Sequence, residues 1–217
     1  MLTKLRRWLL FNLVFGGGLL ALSGEWTSPL LWTYLIGVSV VFFYALMSLD
    51  PELATERFRP PTRGADAPML RWIRVTAIAT LLVTPLDRRF HWSPPVPDAL
   101  RILAIGASLA AFLFVFRAML TNRFFSAVIR IQDDRGHRVV DQGPYAVIRH
   151  PGYAGMMTGV PLMPIALGSW WGFAVAIVYA LLIANRVVVE DRFLQANLPG
   201  YADYAVRVKS RLLPGIW

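Results

Sequence analysis

The residues best suited to chemistry form two polar clusters that flank one long apolar segment. The first cluster, residues 143–155, reads GPYAVIRHPGYAG and mixes tyrosine, arginine and histidine with proline and glycine. The second, residues 186–191, reads RVVVED. Ionisable residues at the edge of an apolar segment are costly to place, and such positions favour a functional role. We therefore predict that the two clusters together form a binding site.

The second cluster places two ionisable residues on one helical face. Arg186 and Glu190 are four residues apart, and residues at that spacing are neighbours on the surface of a helix. Asp191 points roughly 100° away from Glu190, so the two carboxylates are expected to serve different partners. Two interpretations stay open for Arg186 and Glu190: part of a functional site, or an interfacial ion pair that merely ends a helix.

The first cluster has the features of a helix start that faces a ligand. His150 precedes Pro151, and a residue before proline is disfavoured in helical angles, so we expect His150 in an extended turn directly before a helix. A helix N-terminus there would favour an anionic ligand group. Gly152 and Gly155 would allow close approach of a ligand or of a neighbouring helix.

Two tyrosines near the C-terminus could complete the site. Tyr201 and Tyr204 follow a Pro-Gly turn and share one face of a short predicted helix. Tyrosine rings can wall a planar ligand, and their hydroxyls can donate hydrogen bonds. An amphipathic helix resting on the membrane interface would explain the same two residues equally well.

These clusters must be positioned by membrane helices. The chain is 56% hydrophobic and 16% charged, against about 25% charged in ordinary soluble proteins. Its apolar runs mostly approach the ~20 residues that cross a bilayer, and they cover residues 8–22, 30–49, 70–86, 99–121, 153–168 and 171–189. We predict an all-α polytopic membrane bundle of five to six segments with a short cytoplasmic C-terminal helix. The last two segments form a helical hairpin, which would bring the two clusters side by side.

The bundle is expected to have two parts. Residues 1–122 would hold four spans and an interfacial helix at about 51–59, capped by Asp50, and residues 123–217 the catalytic region. We expect the third span to end at Pro85, and the alternating pattern in 124–142 allows a short β-hairpin. A second interpretation of the segment 50–66 is a lid over the site.

Charge predicts the orientation and narrows the partners. With a cytoplasmic N-terminus, sixteen of the 22 Lys and Arg residues fall in cytoplasmic segments and three in outer segments, which fits the positive-inside rule. A basic rim facing anionic membrane lipid explains the net charge of +9 better than nucleic acid does. The lack of cysteine excludes disulfides and thiolate chemistry, and the spacing of the three histidines predicts no metal centre.

Taken together, these motifs resemble those of a known family. The stretch 143–155, followed by Arg186, Glu190-Asp191, Leu194 and Pro199-Gly200-Tyr201 with Tyr204, resembles the isoprenylcysteine carboxyl methyltransferases, in particular bacterial-type members. These are membrane-embedded enzymes related to phospholipid N-methyltransferases. The resemblance covers residues 143–214. Where the family usually has paired glutamates, this chain has Glu190-Asp191, a conservative departure.

The resemblance implies S-adenosylmethionine as cofactor, bound on the cytoplasmic side, and a lipophilic acceptor that enters from the bilayer. The acceptor it implies first is an isoprenylcysteine-like carboxylate. Arg186 would hold that carboxylate and Glu190 would orient Arg186 or the acceptor, whereas Asp191 would pair with a cationic group of the cofactor. The other implied cofactor-binding residues are Tyr145, Arg149, His150, Pro151, Tyr153, Gly155, Tyr201 and Tyr204.

Other functions remain open from sequence. The acceptor could be a thiol, a phospholipid amine or another lipophilic acid, because related folds host several. An NADPH-dependent membrane reductase of the sterol type would use a somewhat similar Arg-His-Pro-like C-terminal motif, and a scaffold would have no catalytic site at all. The expected location is the bacterial inner membrane, with the N-terminus and the site cytoplasmic. The sequence predicts no oligomeric state.

Overall fold

A computed structural model describes residues 1–58 and 66–217. This described part is all-α, as predicted, and contains no strand. Its helices are α1 (Leu2–Ser23, with a π-helical turn at Asn12–Gly16), α2 (Pro29–Ser48), α3 (Pro51–Phe58), α4 (Ala67–Phe90), α5 (Asp98–Thr121), α6 (Pro151–Leu167), α7 (Trp170–Asn197) and α8 (Tyr201–Arg207). Within these ranges, five helices are long and apolar enough to cross a bilayer: α1, α2, α4, α5 and α7.

Short polar residues begin several helices, and Asp50 does so where the sequence predicts. The side chain of Asp50 accepts a hydrogen bond from the backbone N–H of Glu52 at 2.8 Å, which caps α3. Ser169 accepts from the N–H of Gly172 at 2.9 Å and starts α7 after the turn at Gly168. Capping oxygens satisfy donors that the first helical turn leaves free, so these residues fix where each helix begins.

The predicted end of the third span at Pro85 is wrong, because α4 continues through this proline to Phe90. A proline removes only one backbone donor, and tertiary contacts hold the extra turn in place. Asp87 is buried and accepts hydrogen bonds from the hydroxyl groups of Ser93 at 2.8 Å and of Ser169 at 2.5 Å. These contacts fasten the end of α4 to the tip of the α6–α7 hairpin.

The short β-hairpin expected in residues 124–142 does not form. This segment is a loop with one 3₁₀ turn at Asp133–Arg135. Side chains hold it instead of a strand ladder: the amide of Gln132 donates to the carbonyl of Phe124 at 2.7 Å. Glu56 of α3 accepts from the hydroxyl of Ser126 at 2.7 Å and pairs with Arg130 at 3.2 Å, so α3 braces the loop.

The predicted hairpin of the last two segments is confirmed. Helices α6 and α7 pack against each other, α5 lies along α6, and α4 lies along α7. Pro161 and Pro164 stand within α6 without ending it. The hairpin returns both polar clusters to one end of the bundle, where Nε2 of His150 lies 3.1 Å from Oδ1 of Asp191.

Helices α5 and α6 approach so closely that only glycine fits at their crossing. A Cβ atom on Gly155 would lie 2.8 Å from the carbonyl oxygen of Ala111 and 2.6 Å from Cγ2 of Val115. The neighbouring hydroxyl of Ser108 donates to the carbonyl of Gly159 at 3.0 Å across the same interface. Small residues at a membrane-helix interface permit this backbone contact.

We therefore expect Gly155→Ala to destabilise the protein by about 1–3 kcal/mol, since the backbone of α5 must move to admit the methyl group. The matched control is Gly106→Ala on α5, where a Cβ atom would meet nothing within 4 Å. That change should leave stability equal or raise it by roughly 0.5–1 kcal/mol, since alanine is the better helix former. Thermal unfolding in detergent measures both, and equal melting temperatures would contradict the packing explanation.

Candidate active site

A cavity of about 410 Å³ lies at the open end of the α6–α7 hairpin. Its walls come from the start of α4, the loop 122–140, the turn before α6, the last turns of α7 and helix α8. Eight of the residues singled out from the sequence line it: Tyr145, Arg149, His150, Tyr153, Arg186, Glu190, Tyr201 and Tyr204. The structure thus brings the two polar clusters and the C-terminal tyrosines to one cavity.

Three other residues singled out from the sequence lie outside the lining of this cavity. Pro151 is the buried first residue of α6, where its missing N–H costs no hydrogen bond. Gly155 packs against α5, as described above. Asp191 is fully buried on the side of α7 that faces the C-terminal segment, not the cavity.

Asp191 is the centre of a buried network in which both carboxylate oxygens are taken by protein donors. Oδ1 accepts from Arg149 Nε at 2.7 Å, from His150 Nε2 at 3.1 Å and from the hydroxyl of Tyr201 at 3.2 Å. Oδ2 accepts from Arg149 Nη2, Gln195 Nε2 and Arg211 Nε, each at 2.9 Å. A carboxylate with this many donors has little capacity left for a ligand.

The same network ties the C-terminal segment to the start of α6. The backbone N–H groups of Arg149 and His150 donate to the carbonyls of Ser210 at 3.0 Å and Arg211 at 2.9 Å. The guanidinium of Arg149 also donates to the carbonyl of Val208 at 2.6 Å. Burial alone would lower the pKa of Arg149, but its hydrogen bonds to Asp191 raise it, so Arg149 stays charged. His150 is therefore held at the cavity wall by a fixed frame.

Glu190 is the carboxylate that faces the cavity. Oε2 accepts a hydrogen bond from the hydroxyl of Tyr153 at 2.6 Å, and Oε1 lies 4.0 Å from Nδ1 of His150. Its side chain is 23% exposed, whereas that of Asp191 is 0% exposed. Among the described residues that line the cavity it is the one acidic side chain, beside five arginines: Arg74, Arg130, Arg138, Arg149 and Arg186.

The side chain of Arg186 lies in the cavity wall, and its partner is a residue that the sequence did not suggest. Its Nη2 atom donates to the carbonyl of Ala127 at 2.8 Å and lies 2.8 Å from Oδ2 of Asp66. Its guanidinium carbon lies 5.7 Å from the centre of the Tyr153 ring, in cation–π range. The buried Nε atom of Arg186 has no hydrogen-bond partner in the described protein.

Aromatic rings form the side of the cavity next to α8. The hydroxyl of Tyr204 donates to the carbonyl of Tyr145 at 2.6 Å, and the rings of Tyr201 and Tyr204 meet edge to face at 5.4 Å. Burial raises the pKa of all three phenols, so they stay protonated and can act only as neutral hydrogen-bonding groups. These tyrosines form a rigid, largely apolar wall.

The sequence interpretation missed the loop that closes the cavity and the residue Asp66. Residues 124–130, 132 and 137–140 of the loop line the cavity, including His137, whose pKa is lowered by burial and by nearby Arg130. Asp66 precedes an apolar run and looks like a simple helix cap in the sequence. The unpaired charge of Arg186 within α7 was the one signal that a buried acidic partner had to come from elsewhere.

Comparison with known proteins agrees with this geometry. A family model described as the isoprenylcysteine carboxyl methyltransferase (ICMT) family matches residues 102–196, which include most of the cavity wall. A solved structure of the eukaryotic intramembrane Ras methyltransferase ICMT matches 95% of this chain and 74% of that chain, with a TM-score of 0.59 and 20% sequence identity. Over residues 102–196, somewhat less than half of its length, the chain is similar to the isoprenylcysteine carboxyl methyltransferase family. The likeness to the solved ICMT structure shows that the chain has this fold, a bundle of membrane helices.

The chain spans about half the length of the curated relatives that it matches. Protein-S-isoprenylcysteine O-methyltransferase B of Arabidopsis thaliana is 32% identical over 96 residues, which cover 41% of this chain and 46% of that protein. A probable protein-S-isoprenylcysteine O-methyltransferase of Oryza sativa subsp. indica is 30% identical over 93 residues, 42% of this chain and 49% of that protein. The cobalt-zinc-cadmium resistance protein CzcN of Cupriavidus metallidurans is 30% identical over 112 residues, 51% of this chain and 47% of that protein.

Proposed function

We propose that this protein is a membrane methyltransferase that uses S-adenosylmethionine to methylate a lipophilic acceptor, with an isoprenylcysteine-like carboxylate as the acceptor. The observation that carries the proposal is the cavity itself. It joins an aromatic wall, one partly exposed carboxylate and a buried arginine with an unpaired donor, and most of its lining belongs to the region that matches the ICMT family. These groups complement an adenosyl ring, a cationic centre and an anionic acceptor respectively.

The residues around the cavity fit the proposed cofactor. Tyr145, Tyr201 and Tyr204 offer ring surfaces for a nucleoside, and His150 stands beside them. Glu190 is the carboxylate available for a cationic group, because Asp191 already accepts six hydrogen bonds from protein. We therefore move the cation-pairing role expected of Asp191 to Glu190, and assign Asp191 to holding Arg149 and His150 in place. The cofactor supplies an activated methyl group bound to a sulfonium.

The opposite side of the cavity fits a lipophilic acid. Leu70, Ile73, Met156 and Ile183 give it an apolar lining, and Arg186 lies within the same wall. The guanidinium of Arg186 lines the cavity and has an unpaired Nε donor, and it can bind a carboxylate oxygen in a charge-assisted hydrogen bond. An ionised carboxylate needs no proton removed before methylation, so the protein has to align the acceptor and keep water out.

We further propose that the cavity opens at the cytoplasmic face of a bacterial inner membrane. The distribution of Lys and Arg supports this orientation, since the loop 123–149 and the segment after 190 are both basic. The exposed arginines of that face would meet anionic lipid headgroups.

Ligand binding to detergent-purified protein tests the proposed function. We expect S-adenosylmethionine and S-adenosylhomocysteine to bind with micromolar affinity by calorimetry, and NADPH not to bind. His150→Ala should abolish binding of the adenosyl ligands, because His150 joins the cavity wall to the Asp191 network. The matched control is His91→Asn, since His91 is exposed beyond the far end of α4 in a left-handed conformation that asparagine tolerates.

Each other outcome has a defined meaning. Binding of NADPH alone would contradict the methyltransferase and favour the reductase. Binding of the adenosyl ligands without transfer to a prenylated carboxylate would keep the cofactor and contradict the acceptor; a thiol, another lipophilic acid and a phospholipid amine would then be tried in turn. Equal loss of binding in the His91 control would show that the His150 result reports misfolding.

A further inference from the structure

The carboxylate of Asp66 pairs with Arg186 and does not cap its own helix, α4. Asp66 is the residue before α4, the position at which an aspartate normally accepts from the helix N–H groups. Here its side chain makes no capping hydrogen bond. Oδ1 accepts instead from the backbone N–H of Ile129 at 3.0 Å, and Oδ2 lies 2.8 Å from Nη2 of Arg186.

The carboxylate is buried where three walls of the cavity meet. Its side chain is 0% exposed, and that of Arg186 is 5% exposed. Asp66 contacts the loop 122–140 at Ile129 and α7 at Arg186, and its own backbone begins α4. A buried guanidinium needs a counter-charge, and removing one partner of such a pair is far more costly than removing a surface charge.

The pairing leaves one edge of Arg186 uncommitted. Nη2 donates a hydrogen bond to the carbonyl of Ala127, and its contact with Oδ2 of Asp66 is an ion pair without hydrogen-bond geometry. Nε is buried and has no hydrogen-bond partner in the described protein, although Arg186 lines the cavity. A planar guanidinium that is held at one nitrogen has its other donors fixed in direction, because the five N–H groups lie in one plane.

We propose that Asp66 is a positioning residue: it holds Arg186 through Nη2 so that the remaining donors of the guanidinium face the anionic group of the acceptor. This inference rests on the proposed function. Asp66 itself does not line the cavity, so it would act only through Arg186. By holding Arg186, Asp66 makes the protein prefer a charged acceptor to a neutral one of the same shape.

A comparison of two ligands separates this role from a merely structural one. The probes are N-acetyl-S-farnesylcysteine, which has the carboxylate, and its carboxamide, which has the same shape without the charge and serves as a competitive inhibitor. The measured quantity is the ratio of the carboxamide's inhibition constant to the acid's KM. In the wild type we expect this ratio to be greater than one, which means that the protein prefers the acid. Asp66→Asn keeps an acceptor for the N–H of Ile129, so the contact with the loop survives. The ion pair with Arg186 is lost, because asparagine is neutral.

We expect Asp66→Asn to lower the ratio about tenfold or more, because a misplacement of about 1 Å in a binding group can cost on the order of 10²-fold. The affinity for S-adenosylhomocysteine should stay within about twofold, since the proposed site of its nucleoside is the tyrosine wall. Asp66→Glu keeps the charge but moves it, and should lower the ratio less. The matched control is Asp98→Asn: Asp98 is 75% exposed and pairs with Arg101 at 3.2 Å at the other end of the bundle.

The outcomes distinguish the inference from the function on which it rests. If the wild type neither methylates the acid nor prefers it to the carboxamide, the proposed acceptor fails and the inference fails with it. If the wild type prefers the acid and both Asp66 variants keep the same ratio, only the role of Asp66 is overturned. A ratio that rises in Asp66→Asn also overturns it, because Asp66 would then only weaken the attraction of Arg186. If Asp66→Asn does not fold, the ratio in Asp66→Glu decides alone.

Discussion

Replacing Asp191 with asparagine is expected to destabilise the protein by about 3–5 kcal/mol, the cost of breaking a buried ion pair by removing one partner. Asparagine has nearly the same shape, so no cavity is created. It has one acceptor oxygen where Asp191 has two, and its NH₂ group would face the arginine donors. Arg149, whose side chain is 5% exposed, would lose its counter-charge while staying buried.

The loss should appear in two measurements. Thermal unfolding in detergent should show a melting temperature lower by on the order of 10 °C. Trypsin should cleave after Arg207, Lys209 and Arg211 much faster than in the wild type, since the Arg149–His150 frame no longer holds this segment. Asp203→Asn is the control, because Asp203 is an exposed carboxylate on α8. Unchanged stability and unchanged cleavage in Asp191→Asn would show that Asp191 is not the centre of the C-terminal frame.

The parts of the fold that follow from local sequence were predictable. Apolar length predicted the membrane helices, and the Gly168–Ser169 break between two apolar runs predicted the hairpin that joins the polar clusters. Asp50 before Pro51 predicted the start of α3. Each of these depends on a few neighbouring residues and on the thickness of a bilayer, so no knowledge of distant partners was required.

The parts that depend on distant partners were not predictable. The helix continues past Pro85 because Asp87 finds hydroxyl groups on Ser93 and Ser169. Gly155 could equally have approached a ligand or a helix, and only the position of Ala111 decides for the helix. Asp66 lies 120 residues before Arg186 in the chain, and nothing in the local sequence links the two.

The directions of Glu190 and Asp191 were partly predictable from the sequence and partly not. Helical geometry predicted that the two carboxylates point in different directions, and the structure agrees, with Glu190 at the cavity and Asp191 in the buried network. Which of them would face the cavity required the position of the C-terminal segment. That segment brings Arg211 and Tyr201 to Asp191, and it leaves Glu190 with Tyr153 and open space.

Glu190→Gln is therefore expected to weaken binding of S-adenosylmethionine by about 10- to 100-fold, the loss of roughly 1.5–3 kcal/mol from a charge-assisted contact. Binding of S-adenosylhomocysteine should weaken less. Glu190 lies one helical turn from Arg186, where the acceptor is proposed to bind, so the cofactor's methyl-bearing sulfur must come near both residues. That sulfur is positively charged in S-adenosylmethionine and neutral in S-adenosylhomocysteine, so the loss of the carboxylate should affect the first ligand more.

Calorimetry with both ligands on the wild type and on Glu190→Gln provides the measurement. Tyr153→Phe is the matched variant, because it removes the hydroxyl that orients Glu190 at 2.6 Å but leaves the charge in place. It should show a smaller loss in the same direction. An equal loss for both ligands would place Glu190 at the amino group that they share, and no loss for either would remove Glu190 from the cofactor site. Because glutamine preserves size and the capacity to accept from Tyr153, any difference between the two ligands must come from charge.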